Sequence, residues 1–584
     1  MSLPNHTNFK SHFEDLLRHA LCTLSAADLG INIEFSRPKQ IDHGDYSCNL
    51  AMQLAKPLRK SPRDIATILI NAMPASPHLE KVEIAGAGFI NLFLKTASKQ
   101  QFPRIVLESG KKFGYGTFGS EKKIQVEFVS ANPTGPLHVG HGRGAAFGAS
   151  LSNILTAAGF SVSREYYVND AGRQMDILTT SVWLRYLELN GQNIPFPSNG
   201  YQGEYVRDMA KLIYKAHGSN YVPQHEMLTS TVTSEIKEEG AAEILLDQLI
   251  SEAKNSLGQD YVYIHNFVLT EQLSDCRNDL MEFGVVFDEW FSELSLFEND
   301  AVSKVIASLK KNNFLYLKNG ATWFRSTDFG DEKDRVVQRE NGKFTYFASD
   351  IAYHLNKFQR GFEQIINVWG ADHHGYIPRM KAAMQALTLD PTKLEIALVQ
   401  FAVLYREGVK VPMSTRSGEF VTLRELRKEV GNDAARFFYL LRKSDQHLDF
   451  DLDLAKSQNN DNPVYYIQYA HARVCSVMKQ WGENPSLLTA ADTSQLSSAA
   501  ELSLLQKLID YPEIVAVSAR DLSPHLVAFY LRELAAEFHS YYNSSPFLVP
   551  EIPIRLARLA LISSIRQVLV NGLTLLGVSA PDKM

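Results

Sequence analysis

Two histidines, His138 and His141, lie in a glycine-rich stretch that reads Asn-Pro-Thr-Gly-Pro-Leu-His-Val-Gly-His-Gly from 132 to 142. A strand-like run at 124–129 precedes this stretch, and a helical apolar pattern at 145–158 follows it. The free N–H groups and the positive dipole end make such a helix start a binding site for phosphate. Because residues three apart share one face of a helical turn, both imidazoles can donate to a phosphate under attack.

Gly140 lies between the two histidines, where a side chain would keep a flat base or a ribose away from the backbone. A metal site is less suited to this pattern, since a metal would need a third ligand close by. The competing interpretation is a glycine-rich turn that carries two surface histidines.

A second group of residues could bind a guanidinium. The sequence reads Tyr-Phe-Ala-Ser-Asp from Tyr346 to Asp350, so the two side chains can face one pocket from a helix start. A guanidinium needs a desolvated carboxylate that accepts two parallel hydrogen bonds and an aromatic face to pack its plane. Glu127 supplies a second carboxylate, and Asn132 can hold the backbone carboxylate or ammonium of an amino acid. The alternative is that Asp350 only caps a helix.

A third group follows the strand-like run 364–369 and reads Gly370-Ala-Asp372-His-His. A glycine at the carboxyl end of a strand lets a ribose approach, and a carboxylate there can bind a ribose hydroxyl or an ammonium. The Asp-His-His sequence could also hold a metal, although no further ligand is spaced nearby.

The elements that must position these groups alternate between strand and helix. Strand 124–129, a helix and strand 161–168 predict parallel pairing with a right-handed crossover. Long charged helices then occupy about 191–319, which we interpret as an insertion between two halves of one sheet. From 463 to the end the pattern is almost entirely helical, and the apolar stretch 556–578 is interpreted as a buried amphipathic helix.

The bulk numbers describe an ordinary globular protein. The chain has 584 residues, 45% of them hydrophobic and 21% charged, and a net charge of −6, which does not exclude a local basic patch for nucleic acid. Four scattered cysteines without a C-x-x-C pair argue against a disulfide framework or a thiolate metal site and favour a reducing compartment. With no basic-then-apolar leader, a cytoplasmic location is expected.

The sequence around His138 and His141 resembles the nucleotide-binding signature of class I aminoacyl-tRNA synthetases. It resembles more specifically the signature of bacterial arginyl-tRNA synthetases. The resemblance extends almost to the last residue and excludes only the central insertion. Further matching segments lie at 433–438, 447–451, 466–473, 566–572 and 576–581. It implies ATP-dependent attachment of L-arginine to its tRNA through an arginyl-adenylate. It also implies that tRNA binds before the adenylate forms, that Mg²⁺ arrives with ATP, and that the chain is a monomer. A non-catalytic tRNA-binding paralogue and a class I synthetase for another amino acid remain alternatives.

The resemblance also implies residue roles. The amino-acid pocket matches Glu127, Asn132, Tyr346 and Asp350, and the ATP site matches His138, Gly140, His141, Gly370, Asp372, Met413 and Ser414. The second class I signature, usually Lys-Met-Ser-Lys-Ser, departs here because Pro412 and Thr415 occupy the two lysine positions. Arg416 or Lys410 is expected to supply the missing charge, and Arg416 is taken as the catalytic candidate.

For tRNA, the resemblance assigns the anticodon to the C-terminal helices and the outer corner of the tRNA to the N-terminal module. Stacking on unpaired bases needs exposed aromatic and arginine side chains. The candidates are Tyr469 and Arg473, four apart on one helical face, Tyr541 on a later helix, and Asn91 and Phe93 in the N-terminal module.

Together these observations predict an α/β multidomain protein with a Rossmann-type parallel sheet. The expected parts are an α+β N-terminal tRNA-binding module (1–110), a catalytic domain (120–190 and 320–410) with a connective insertion (191–319), a signature loop with a connecting helical segment (411–460), and an all-α C-terminal anticodon-binding bundle (461–584).

Overall fold

The computed structural model describes residues 9–24, 30–38, 43–192, 194, 196–223, 241–411 and 421–584. Its architecture is the α/β multidomain arrangement that the sequence predicts, with a parallel central sheet, an α+β module before it and a helical bundle after it.

The N-terminal module packs helices on one four-stranded antiparallel sheet of order β1-β2-β4-β3. Ser61 starts its third helix as a cap, since its side chain accepts a hydrogen bond from the Asp64 N–H, and Pro62 takes the first helical position. The elements are α1 (Phe9–Cys22), β1 (Phe35–Ser36), β2 (Tyr46–Cys48), α2 (Leu50–Leu58), α3 (Pro62–Ala72), β3 (Leu79–Ala85) and β4 (Phe89–Leu94).

Two helices, α4 (Thr96–Gln100) and α5 (Phe102–Ser109), lead to the central domain. This domain begins with β5 (Lys123–Glu127), α6 (Val139–Ala157), β6 (Ser161–Val168) and α7 (Arg173–Leu189). Gly148 lets α6 lie directly on the sheet, because a Cβ there would come within 2.2 Å of the Phe128 ring.

The predicted insertion is only partly separate from the sheet. It contains α8 (Glu204–His217), α9 (Ala241–Leu257) and α10 (Gln259–Glu282), but the next element, β7 (Glu289–Ser292), pairs in parallel with β6. Residues 289–292 were therefore wrongly placed in the insertion. The reason is that a four-residue edge strand leaves too short a pattern to distinguish from a loop.

The chain then builds a cap and completes the sheet. The cap consists of α11 (Leu294–Glu298), α12 (Ala301–Lys311) and a three-stranded antiparallel sheet of β8 (Leu315–Lys318), β9 (Ala321–Phe324) and β10 (Arg335–Gln338). The remaining elements of the central sheet are α13 (Tyr346–Gln359), β11 (Gln364–Gly370), α14 (Ile377–Ala386) and β12 (Leu394–Val399).

The finished central sheet has the order β12-β11-β5-β6-β7, and all its neighbouring strands are parallel. The chain moves from β5 outward to β6 and β7, and then returns to place β11 on the other side of β5. The strand order therefore reverses between β5 and β11, and in such sheets ligands bind in the crevice beyond the carboxyl ends of the strands at this point.

A connecting region follows the sheet. It contains β13 (Ala402–Arg406), β14 (Val409–Lys410), α15 (Leu423–Val430), α16 (Asn432–Tyr439), β15 (Leu448–Asp451) and α17 (Leu452–Lys456). The buried guanidinium of Arg436 joins three parts of the chain, since it donates to the carbonyls of Leu576, Phe283 and Gly284.

The C-terminal bundle consists of α18 (Pro463–Trp481), α19 (Ala499–Arg520), α20 (His525–Ser544) and α21 (Ile552–Leu576). By length and composition alone α21 could cross a membrane, but 78% of its most apolar window is buried inside the protein. Its polar residues bond to other parts of the chain, as where Asn571 donates to the carbonyls of Gly110 and Phe113. The prediction of a buried helix at the C-terminus is confirmed.

Candidate functional site

The crevice at the strand reversal is lined by the two segments that the sequence singled out. Residues 128–142 follow β5, and residues 371–376 follow β11, which is the neighbouring parallel strand and ends at Gly370. The carboxyl ends of neighbouring parallel strands meet at one edge of a sheet, so the glycine-rich stretch and Gly370 lie on the same side.

His138 and His141 stack on each other at the start of α6. Their ring centroids are 3.8 Å apart, and the rings are inclined by 26°. His138 is the N-cap of the helix, and its Nδ1 accepts a hydrogen bond from the Gly140 N–H at 3.1 Å. The Nδ1 of His141 accepts from the His138 N–H at 3.3 Å, so the two imidazoles form a reciprocal capping box.

These backbone contacts determine where each ring carries its proton. A ring nitrogen that accepts a hydrogen bond must keep its lone pair, so in a neutral imidazole the proton lies on Nε2. Burial lowers the pKa of His138, and burial together with the neighbouring His138 lowers the pKa of His141 to about 3. Both rings are therefore neutral N–H donors at physiological pH.

Gly140 keeps the space between the His138 and Phe401 rings open. A Cβ at Gly140 would come within 2.8 Å of the His138 ring and 3.2 Å of the Phe401 ring. The glycine thus makes room for the stacked histidine, and the predicted gap for a base or ribose is bounded by the Phe401 ring, which is half exposed.

The segment that follows the second class I signature is hydrogen-bonded to the glycine-rich stretch that carries the two histidines. Val139 N donates to the Val421 carbonyl at 3.1 Å, and Leu423 N donates to the Leu137 carbonyl at 2.8 Å. The predicted site residues Met413, Ser414 and Arg416 lie outside the described residues.

The segment after β11 places its polar groups at the surface. Asp372 lies in a short 3-10 helix, Ala371–Tyr376, and its carboxylate is 3.5 Å from His373 Nε2, with about 60% of each side chain exposed. A Cβ at Gly370 would come within 2.4 Å of Asp372 Oδ1, so a side chain there would displace the exposed Asp372 carboxylate.

Asp350 lies in the second turn of α13 and accepts a hydrogen bond from the Tyr376 hydroxyl. The N-cap of this helix is Thr345, so the alternative that Asp350 only caps the helix is wrong. Burial raises the pKa of Asp350 to about 6 against the hydrogen bond from Tyr376, and Glu127 raises it further. One turn earlier, Tyr346 is 61% exposed, and its hydroxyl lies close to Gly172, so its role in the pocket stays a prediction.

Glu127 is already neutralised and cannot serve as the predicted second carboxylate for a guanidinium. Its Oε2 accepts a hydrogen bond at 2.6 Å from Lys357 Nζ, a fully buried ammonium that also donates to Asn367. Its Oε1 accepts from the Ser130 hydroxyl at 3.1 Å. The carboxylate instead supports the turn that presents the next residues to the crevice.

That turn is strained, because Val129 and Ser130 have φ angles of 68° and 41°. A left-handed conformation is costly for a β-branched residue, and such strain concentrates at binding sites. The Ser130 hydroxyl is held on both sides, since it donates to Glu127 and accepts from the Tyr167 N–H. Asn132, two residues further, is exposed, and its contact with an amino acid stays a prediction.

The second carboxylate of the pocket is Glu293, which sequence reasoning missed. It follows β7, is 3% exposed, and accepts a hydrogen bond from the Ser349 hydroxyl at 3.0 Å. Burial raises its pKa to about 7, and the charges of Asp350 and Asp170 add to this effect. The carboxylates of Glu293, Asp350 and Glu127 all raise the pKa of the buried Tyr167 hydroxyl, which places them around one aromatic side chain.

The carboxylates of this pocket supply negative charge of the kind that a guanidinium requires. The buried ammonium of Lys357 is paired with Glu127, so Glu293 and Asp350 add negative charge to the pocket when they are ionised. Like charges in a low-dielectric site raise one another's pKa values, and a bound cation reverses this effect. The pocket therefore favours a cation that can donate hydrogen bonds to two carboxylates.

A pH dependence of cation binding is expected from Glu293. Because its pKa of about 7 must fall when a guanidinium binds, binding should release a proton near neutral pH. We expect the affinity for a guanidinium ligand to rise with pH, by up to about tenfold per unit below the free pKa. The measurement is the apparent affinity for that ligand between pH about 6 and about 8. The variant Glu293→Gln should retain only the dependence due to Asp350, and an equally steep profile in that variant would contradict the assignment.

The structure separates the predicted tRNA residues into two groups. Asn91 is 3% exposed and accepts a hydrogen bond from Ser47, while Tyr541 is 1% exposed and donates to Glu501. Buried side chains cannot stack on or bond to RNA, so the structure contradicts these two assignments. Phe93 is half-buried under the ammonium of Lys81, 4.2 Å from its ring centroid.

Tyr469 and Arg473 are partly exposed and contact each other on α18. The Arg473 guanidinium lies 4.5 Å from the Tyr469 ring centroid and 4.6 Å from that of Tyr542. Arg473 also donates to His539 Nδ1 at 3.1 Å. The face therefore presents a stack of aromatic rings with a cation between them, which suits an unpaired base.

Three known protein families match consecutive parts of the chain. They are the arginyl-tRNA synthetase N-terminal domain over 10–94, the catalytic domain of class I (R) tRNA synthetases over 103–448, and the DALR anticodon binding domain over 467–584.

Curated relatives cover the full length of the chain. The chain is 72% identical to an arginine–tRNA ligase of Nitrosospira multiformis, with both proteins covered completely. It is 60% identical to an arginine–tRNA ligase of Azoarcus, with 98% of each covered. Its fold is similar to that of Thermus thermophilus arginyl-tRNA synthetase, with a TM-score of 0.75 at 22% identity, over 98% of this chain and all of that one.

Proposed function

The chain belongs to the arginyl-tRNA synthetase family and is an arginine–tRNA ligase, and we propose that the crevice between β5 and β11 is where it activates arginine. The proposal is supported by the coupled carboxylates of Glu293 and Asp350, which suit a guanidinium, and by the stacked histidines at the start of α6, which can donate to a phosphate.

In the proposed reaction, a carboxylate oxygen of arginine attacks the α-phosphorus of ATP. A P–O bond forms, the bond to pyrophosphate breaks, and arginyl-adenylate results. A hydroxyl of the terminal ribose of the tRNA then attacks the arginyl carbonyl, and AMP leaves. Positioning and charge neutralisation dominate in-line phosphoryl chemistry, so no side chain has to form a covalent intermediate.

The residues divide this work between two ends of the crevice. We propose that the Nε2–H groups of His138 and His141 donate to the phosphate as it becomes pentavalent, with Phe401 and Gly140 beside the nucleoside. Asp350, Glu293 and Tyr346 hold the guanidinium, and Asn132 holds the amino-acid backbone. Gly370 and Asp372 are proposed for the ribose side.

The negative charge of the triphosphate must be balanced by groups other than these residues. We propose that Mg²⁺ arrives with ATP as part of the substrate, coordinated mainly by phosphate oxygens and water, as is usual for this ion. Arg416 remains our candidate for the cation that replaces the second signature lysine.

We also propose that α18 reads the anticodon through Tyr469 and Arg473, since their cation–aromatic stack is partly exposed. Tyr469→Ala should lower charging of intact tRNA by about 1–3 kcal/mol, the usual loss of one stacked base. A tRNA already altered at its central anticodon base should lose much less. Steady-state charging of both tRNAs gives the comparison.

Tyr469→Phe is the matched control, because it keeps the ring and should charge intact tRNA nearly normally. Equal losses on both tRNAs, with an unchanged melting temperature, would give Tyr469 a role other than anticodon contact.

We also propose a cellular location and an oligomeric state. The four cysteines form no disulfides, which fits a cytoplasmic enzyme that needs no membrane partner. A monomer is proposed from the family, and light scattering of the purified chain tests it.

A further inference from the structure

Three side chains of metal-binding type meet in the C-terminal domain, away from the proposed reaction site. His471 and Cys475 lie four residues apart on one face of α18, and Asp582 lies on the tail that follows α21. One ligand atom from each of them falls within 4.8 Å of the other two.

The distances match the edges of a tetrahedral metal site. Cys475 Sγ is 3.8 Å from His471 Nε2 and 3.3 Å from Asp582 Oδ1. With Zn–S of about 2.3 Å and Zn–N or Zn–O of about 2.0 Å, neighbouring ligands of a tetrahedral ion lie about 3.5 Å apart. The observed distances bracket this value, so small side-chain rotations would complete the geometry.

One ring nitrogen of His471 can act as a metal ligand. Its Nδ1 donates to the Pro581 carbonyl at 2.9 Å, so the lone pair of a neutral ring lies on Nε2, and Cys475 Sγ is 3.8 Å from each ring nitrogen. A hydrogen bond from the other ring nitrogen to a carbonyl is the usual support of a ligating histidine. The ring is 3% exposed and cannot turn away freely.

The tail that carries Asp582 is held in place independently of any ion. Ser579 N donates to Asp433 at 2.9 Å, and Gln468 donates to the Ser579 carbonyl at 3.0 Å. The carboxylate is therefore presented to α18 before a metal binds, which lowers the entropy that binding must overcome.

The neighbouring cation does not oppose a metal here. Arg566 Nη1 lies 3.9 Å from Cys475 Sγ. A thiolate and a carboxylate together carry two negative charges, so a bound divalent ion leaves a centre without net charge, and the guanidinium meets little repulsion.

We propose that His471 Nε2, Cys475 Sγ and Asp582 form a binding site for a zinc-like divalent cation. The mixed sulfur, nitrogen and oxygen donors favour Zn²⁺ over Mg²⁺ or Ca²⁺. On binding, the metal–sulfur bond forms and the thiol proton passes to solvent. The fourth position is taken by water, and the ion ties the C-terminal tail to α18.

The test uses the purified full-length chain, freed of metal with a chelator and titrated with Co²⁺ as a coloured probe for Zn²⁺. The proposal predicts a thiolate-to-cobalt charge-transfer band that saturates at equimolar Co²⁺ and disappears when Zn²⁺ is added. Cys475→Ser should lose the band, and Asp582→Asn should bind Co²⁺ more weakly. Cys22→Ser removes an exposed thiol elsewhere and should behave like the parent.

Melting temperature provides a second readout, since a ligand of the folded state stabilises it. Equimolar Zn²⁺ should raise the melting temperature of the parent and of Cys22→Ser but not of Cys475→Ser. The proposal is overturned if the parent shows no thiolate band, or if Cys475→Ser keeps the band and the thermal shift.

Discussion

Replacing Asp350 by asparagine is expected to lower kcat/KM for arginine by about 3–5 kcal/mol, roughly 10²- to 10⁴-fold. The substitution keeps the shape of the side chain but removes a charge that opposes the guanidinium in a buried pocket. Glu293 remains, and its own raised pKa leaves much of it uncharged near neutral pH, so it cannot fully compensate. The loss should fall on arginine, whereas the KM for ATP should change little.

Asp390→Asn is the matched control for this variant. Asp390 is the N-cap of the short 3-10 helix Pro391–Lys393, and its side chain accepts a hydrogen bond from the Thr392 N–H. If Asp350→Asn resembles this control in its arginine kinetics, the carboxylate of Asp350 does not hold the substrate.

Alanine at His138 or at His141 is expected to reduce kcat by about 10²- to 10³-fold, the usual loss for one donor to a developing oxyanion. Because the proposed hydrogen bonds strengthen as the phosphate becomes pentavalent, the KM for ATP should rise much less. Arginine-dependent ATP–pyrophosphate exchange in the presence of tRNA measures both quantities.

His141→Gln separates donation from packing. Glutamine can place an N–H group near the position of Nε2, so part of the rate should return, while alanine has no donor. His138 also caps α6, so the melting temperature of its alanine variant should fall, in keeping with about 0.5–2 kcal/mol for a lost cap. A double alanine variant that charges tRNA normally would exclude both histidines from the reaction.

Much of this site was predictable because its signals are local. The glycine-rich helix start, the two histidines and the strand before them lie within about twenty residues, and the parallel order of β5 and β6 follows from the intervening helix. Asp350 and Tyr346 can be predicted in the same way, because they are a carboxylate and an aromatic ring one turn apart.

The errors involve partners that are distant in sequence. Lys357 lies 230 residues from the Glu127 that it neutralises, and no local pattern links the two. Glu293 was missed because it follows a four-residue strand inside a region dominated by helices. Periodicity shows which side chains of the same helix or strand lie on one face with Tyr541 or with Asn91. It does not show whether another element covers that face.

Discrimination between arginine and citrulline, its uncharged near-isostere, tests the central claim most directly. We would compare kcat/KM for charging with the two amino acids, using the parent chain and the Glu293→Gln, Asp350→Asn double variant. A charge-selective pocket predicts a large preference for arginine in the parent and a preference reduced by at least about 10²-fold in the double variant, as expected from a broken buried ion pair. An unchanged preference in the double variant would contradict the account.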